Sequence, residues 1–158
     1  MRACTGRAYV RGVSTEEYEE LGPIDYVVLE WPTSHPNAGG EVAPLLLDLV
    51  ERGIIRIYDI AFIAKDEDGT VVAIDLAQLN GGFDDFEGAS SGLIGEDDFQ
   101  DAGNVLEPGT SAAIIVWENL WAAPVAVALR KSGGQLVASG RIPVQAIIAA
   151  LDAVEAGT

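Results

Sequence analysis

Residues 54–76 read IIRIYDIAFIAKDEDGTVVAIDL, and the fold class turns on this stretch. IIRIYDIAFIAK is rich in β-branched and aromatic residues and reads as a long strand; TVVAIDL reads as a shorter one. KDEDG between them supplies a hairpin, with Asp68-Gly69 giving the positive-φ geometry that such a turn prefers. A hairpin forces at least one antiparallel pair, which argues against a doubly wound parallel sheet. One residue is out of place. Asp59 sits in the middle of the apolar run, where a carboxylate needs a hydrogen-bonding partner or a bulge. A structural hydrogen bond is the expected account, with a perturbed functional carboxylate as the alternative.

Working outward, IDYVVLEW reads as a strand ended by Pro32, and TSHPNAGG as a loop. GEVAPLLLDLVERG reads as a helix, with Val42, Leu45, Leu46, Leu49 and Val50 at helical spacing and Gly53 as its stop. A glycine-rich, acidic connector runs from about Ala77 to Gly109, and EDDFQDAGNVL within it is a short helix with carboxylates at its positive end. SAAIIVW is the next strand, LWAAPVAVALRK a helix, QLVAS a last strand and IPVQAIIAALDAVEA a terminal helix. The run YVVLEW, helix, IIRI resembles the run IIVWEN, helix, QLVAS. The expected fold is therefore α+β: a ferredoxin-like plait of two β-α-β units, helices on one face, with an extra hairpin strand, the acidic connector and a C-terminal helix. Residues 22–158 form one domain in this reading. Residues 1–21 form a tail that is disordered or lies upstream of the true start, for which Val13 is a candidate.

Nine Lys and Arg against 25 Asp and Glu give a net charge of −16. Such a surface repels phosphate backbones and anionic membranes, so no nucleic-acid partner is expected. No Lys or Arg occurs from Asp66 to Leu129. A single cysteine, Cys4, allows no intrachain disulfide and no cysteine metal cluster, which suits a cytoplasmic location. No apolar signal region opens the chain, and the uncharged pieces of Pro108–Leu129 fall short of the ~20 residues of a membrane span. Membrane insertion is not expected.

The sequence offers several candidates for chemistry. GASSG, around Ser90, fits the nucleophile-elbow pattern, but GGFDDFE before it is not a strand, and the only histidine, His35, precedes the serine. His35 reads as a solvated loop residue between two prolines. KDEDGTVVAID lacks the closing Glu of a calcium loop, and FDDFEG and GEDDFQD have the wrong spacing, so no metal site is assigned. RKSGG stands at a helix C-terminus, the wrong end for a phosphate. No cofactor is indicated. Glu30 and Glu118 match in the two equivalent strands, but antiparallel strands put them at opposite edges, which disfavours a shared acid-base site.

At GPIDYVVLEWP, RGIIRIYDIAFIAKDEDGTV, LEPGTSAAIIVWENLWAAP and SGGQLVASGRIPVQAIIAAL the chain resembles an actinobacterial family of unknown function, from Gly22 onward. More distantly, through the hairpin Asp59–Gly69 and PGTSA at Pro108–Ala112, it is similar to a bacterial family of glycine-zipper membrane or general-stress proteins. In that relative the connector is a long apolar zipper, whereas GGFDDFEGASSGLIG here is too short and acidic to span a bilayer. The resemblance implies a soluble, stress-related form and transfers no catalytic residue.

Two functions are carried forward. The first is a non-enzymatic interaction or structural module, a homo-oligomer or the binder of a protein partner. Trp31, Trp117 and Trp121 gather near the ends of the leading strands, and LWAAPVAVAL is apolar nearly all round and needs cover. The second is a ligand-binding or catalytic plait with a pocket near Glu30, Trp31, His35 and Asp59.

Overall fold

Four antiparallel strands make a single sheet whose two central strands are buried on both faces. The computed structural model describes residues 20–32, 39–75, 86 and 92–157. Its strands are β1 (Ile24–Pro32), β2 (Ile55–Lys65), β3 (Val71–Ile74) and β4 (Thr110–Asn119), in the order β1-β4-β2-β3, with every neighbouring pair antiparallel. The helices are α1 (Gly39–Glu51), α2 (Glu96–Val105), α3 (Ala123–Lys131) and α4 (Val144–Ala156). The chain divides into two compact units, residues 1–128 and 129–158. The first holds the sheet, α1 and α2. The second holds α4, whose apolar residues Val144, Ile147, Ile148, Leu151 and Val154 are exposed.

The first face of the sheet has an apolar centre. Ile55, Ile57, Ile60 and Phe62 of β2 join Ala113 and Ile115 of β4, Phe86 and Ala43 of α1. Helix α1 forms where expected, and Gly53, at φ +70°, stops it: the Gly53 and Ile54 N–H groups turn back onto the Val50 and Leu49 carbonyls. Val42, Leu46, Leu49 and Val50 of the expected stripe pack on this cluster beside fully buried Ala43, while Leu45 is 68% exposed.

On the second face Ile63, Ala112 and Ile114 pack against Ala102 and Leu106, with Phe99 of α2 and Val28 and Val71 at the margin. Lys65, the last residue of β2, donates from Nζ to the Gly103 and Leu106 carbonyls at 2.9 and 3.1 Å. It thereby caps the end of α2, adding a second donor to the Gly103 carbonyl, which also accepts the Leu106 N–H. The hairpin after Lys65 closes as expected, with the Asp66 N–H on the Thr70 carbonyl, the Gly69 N–H on the Asp66 carbonyl and Gly69 at φ +90°. The Thr70 N–H donates to the Asp68 carboxylate, which holds that carboxyl below its usual range.

The α+β class, the mainly antiparallel sheet and the first β-α-β unit agree with expectation. The second unit does not. Gln135–Ser139 is not a strand, and Leu136 and Val137 are exposed. So short a run has no buried face to fix its register. The second crossover instead runs β3-α2-β4, with parallel β3 and β4 flanking β2 just as β1 and β2 flank β4. The helices then cover both faces of the sheet rather than one.

A Cβ placed on Gly103 would collide with the Val71 side chain, so α2 crosses β3 at a distance only glycine allows. Gly103→Ala gains about 1 kcal/mol of helix propensity but loses about 1–3 kcal/mol to overpacking, and urea denaturation should show a net loss of stability. In a Val71→Ala background the sign should reverse; an equal effect in both backgrounds would refute the close approach.

Candidate functional site

The isoleucines of β2 change phase in the middle of the strand. Ile57 stands opposite Trp117 and Asp59 opposite Val116, so one extra residue is inserted between them. Ile57 and Ile60 both lie in the first cluster although three residues apart. This bulge therefore turns two consecutive side chains, Tyr58 and Asp59, to the second face.

Both find partners there. Asp59 is 1% exposed, and its Oδ2 accepts the Ile94 N–H at 2.8 Å. The carboxylate expected to need either a bulge or a hydrogen bond has both. The Tyr58 hydroxyl donates to Glu118 Oε1 at 2.9 Å, and Glu118 Oε2 accepts the Gly22 N–H at 2.9 Å. Arg56 lies 3.6 Å from Oε1 of the same carboxylate, which is 2% exposed. Burial, then the hydrogen bond and charge of Glu118, push the Tyr58 phenol from 10.0 up to about 12, with Arg56 opposing in part.

Glu30 lies on the same face at the other end of the sheet. Its Oε2 accepts the Glu107 N–H at 2.7 Å and faces the Thr110 hydroxyl at 3.0 Å. Glu30 stands opposite Ala112 while Glu118 stands opposite Ile24, which separates the two carboxylates by roughly 20 Å along β4. They form no shared site.

The tryptophans do not gather as expected. Trp31, opposite Ser111, and Trp117, opposite Asp25, both pack on the first cluster but at opposite ends of β4. Trp117 and exposed Trp121 do meet: both indole N–H groups donate to Asn119 Oδ1, at 3.1 and 3.3 Å. Asn119 Nδ2 in turn donates to the Pro23 carbonyl and to Asp25 Oδ2, at 3.0 and 2.8 Å. Sequence reasoning overlooked this hub. The signal was a lone amide closing an apolar strand between two indoles that each need an acceptor. Tyr58 was overlooked too, though the shift of apolar positions from 55 and 57 to 60 and 62 marks the bulge. His35, Ser90 and Cys4 lie outside the described residues.

Beside the polar cluster, a cleft of about 500 Å³ opens between β1 and α2. Tyr26, Val28, Val116, Leu93 and Val105 supply its apolar walls, with Asp25, Asp98 and Asp101 also lining it. Neither Glu30 nor Asp59 lines it. Asp25 is engaged by Asn119, and Asp98 accepts the Gly95 N–H at the start of α2. Among the described residues, no three His, Cys, Asp or Glu side chains converge on a point that would hold a metal ion. Nor is any helix among them long and apolar enough to cross a membrane.

The raised Tyr58 pKa has a pH consequence. Between pH 10 and about 12 the unfolded chain has lost this proton and the folded chain has kept it. The group's contribution is thus fully present below pH 10 and is lost as pH rises through 12. Ultraviolet titration should show one tyrosine ionising late, and Tyr58→Phe should remove that step. Glu118→Gln should cost about 1.5–3 kcal/mol in urea denaturation, because an amide cannot accept both donors with a charge; an unchanged midpoint would refute the network.

The chain belongs to a family of unknown function (DUF6325), which matches residues 20–157. No curated protein and no solved structure matches it. The family match supports neither an actinobacterial origin nor kinship with the glycine-zipper proteins.

Proposed function

We propose that this chain is a non-enzymatic interaction module that associates with further copies of itself. The observation that carries the reading is apolar surface left uncovered beside a fully satisfied polar interior. Ile24, Tyr26, Leu93 and Val105 around the cleft are exposed, and so are Val125 of α3 and the apolar residues of α4. The four grouped around one cleft mark a contact surface. Inside, Glu118 and Asp59 spend their oxygens on main-chain and phenolic donors, which suits a structural role for both. A charge of −16 limits non-specific association and leaves shape and main-chain pairing to select the partner.

A second reading, a ligand-binding domain, has the cleft's volume in its favour and centres on Tyr26, Val28 and Val105 rather than on Glu30 and Asp59. A ligand raises the melting temperature without changing the mass of the protein; self-association does the reverse of the second.

Light scattering of the full chain over a concentration series tests the proposal. The mass should climb from 16.6 kDa toward twice that value as concentration rises. A constant 16.6 kDa accompanied by a metabolite-dependent thermal shift would replace association with ligand binding.

A further inference from the structure

We propose that two copies join by antiparallel pairing of their β1 strands about a two-fold axis at Val28. The inference rests on the self-association reading and assigns it a surface.

β1 and β3 are the edges of the sheet. β3 has four residues, β1 nine. The phase of the β1 ladder follows from one bond. Ile24 stands opposite Glu118, so Pro23 stands opposite Asn119, and the Asn119 N–H donates to the Pro23 carbonyl at 2.8 Å. Hydrogen-bonded pairs recur at every second residue of an antiparallel ladder. The odd-numbered residues of β1 therefore bond to β4, while Ile24, Tyr26, Val28 and Glu30 turn their N–H and C=O groups outward. Among the described residues β4 is the only strand that β1 pairs with, so no strand faces these groups. Tyr26 is 75% exposed.

Edge strands that stay single are guarded by lysine, proline or outward charge. β1 has no lysine, and its one proline, Pro32, is its last residue. Its two carboxylates are both tied back over their own subunit, Asp25 by Asn119 and Glu30 by Glu107 and Thr110. The edge is open.

The strand is also self-complementary. Outward groups must face outward groups, so only registers that set even-numbered residues opposite even-numbered ones are allowed. The one that uses all nine residues sets Val28 opposite itself, Tyr26 opposite Glu30, Asp25 opposite Trp31 and Ile24 opposite Pro32. No like charges then stand opposite each other, which would destabilise the pair. This is strand addition between identical copies, with up to about eight main-chain hydrogen bonds across a closed two-fold.

Cysteine pairing reads the register directly. With Cys4→Ser in place, Val28→Cys should give a disulfide-linked dimer under mild oxidation, since paired Cα atoms lie about 5.5 Å apart. Tyr26→Cys should not, because its two copies are separated by about 13 Å or more along the strands. Tyr26→Pro removes an outward N–H together with a cleft side chain, and Tyr26→Leu, which keeps the N–H, is its control: the proline should abolish the dimer in light scattering and the leucine should not, while circular dichroism and the melting temperature of both stay near those of the parent. Equal cross-linking at positions 26 and 28, or a Tyr26→Pro chain that still dimerises, would overturn edge pairing and leave self-association standing. A parent chain that stays monomeric at all concentrations would overturn both.

Discussion

The extra residue in β2 is the constraint on which the second face of this sheet depends. An unbroken strand would have sent Tyr58 and Asp59 to opposite faces, one of them into the apolar layer under α1. With the bulge, both turn the same way, and each holds a different piece of chain. Asp59 fixes Ile94, on the approach to α2. Tyr58 holds Glu118, whose other oxygen fixes Gly22 at the approach to β1. The two walls of the cleft are thus anchored to adjacent residues of one strand.

The two faces consequently work by different physics. The first is held by apolar burial, with Ala43 and the stripe of α1 packed on β2 and β4. The second buries Asp59 and Glu118, which would be costly if either carboxylate lacked donors. Among the described residues no buried side-chain nitrogen or oxygen is left without a partner. The polar groups are consumed in anchoring loops, while the apolar groups near β1 remain uncovered. In the proposed reading the uncovered surface near β1 is a contact surface, and the β1 edge is where another copy pairs.

Much of this was legible in the sequence. The hairpin at Asp68-Gly69, the stop at Gly53 and the strand after Pro108 are local signals, and each appears where the residues put it. The likeness between the two strand-helix runs misled, because QLVAS has the composition of a strand but nothing to pair with. Pairing partners are a property of the whole chain and leave no mark in five residues. The site was legible in part. Asp59 stood out as a carboxylate in an apolar run; Asn119 and Tyr58 did not, because amides and phenols at strand ends and bulges look ordinary until their partners are known. The phase change of the isoleucines was the one cue that announced the bulge itself.

Native-state hydrogen exchange of two amides tests the role of the bulge most directly. Gly22 and Ile94 both lie outside regular strands and helices, where amides ordinarily exchange fast. If the bulge anchors them, both should exchange as slowly as the amides of β2 and β4, and Asp59→Ala should release Ile94 while leaving Gly22 protected. Fast exchange at both positions in the parent chain, or loss of both together in Asp59→Ala, would contradict the account.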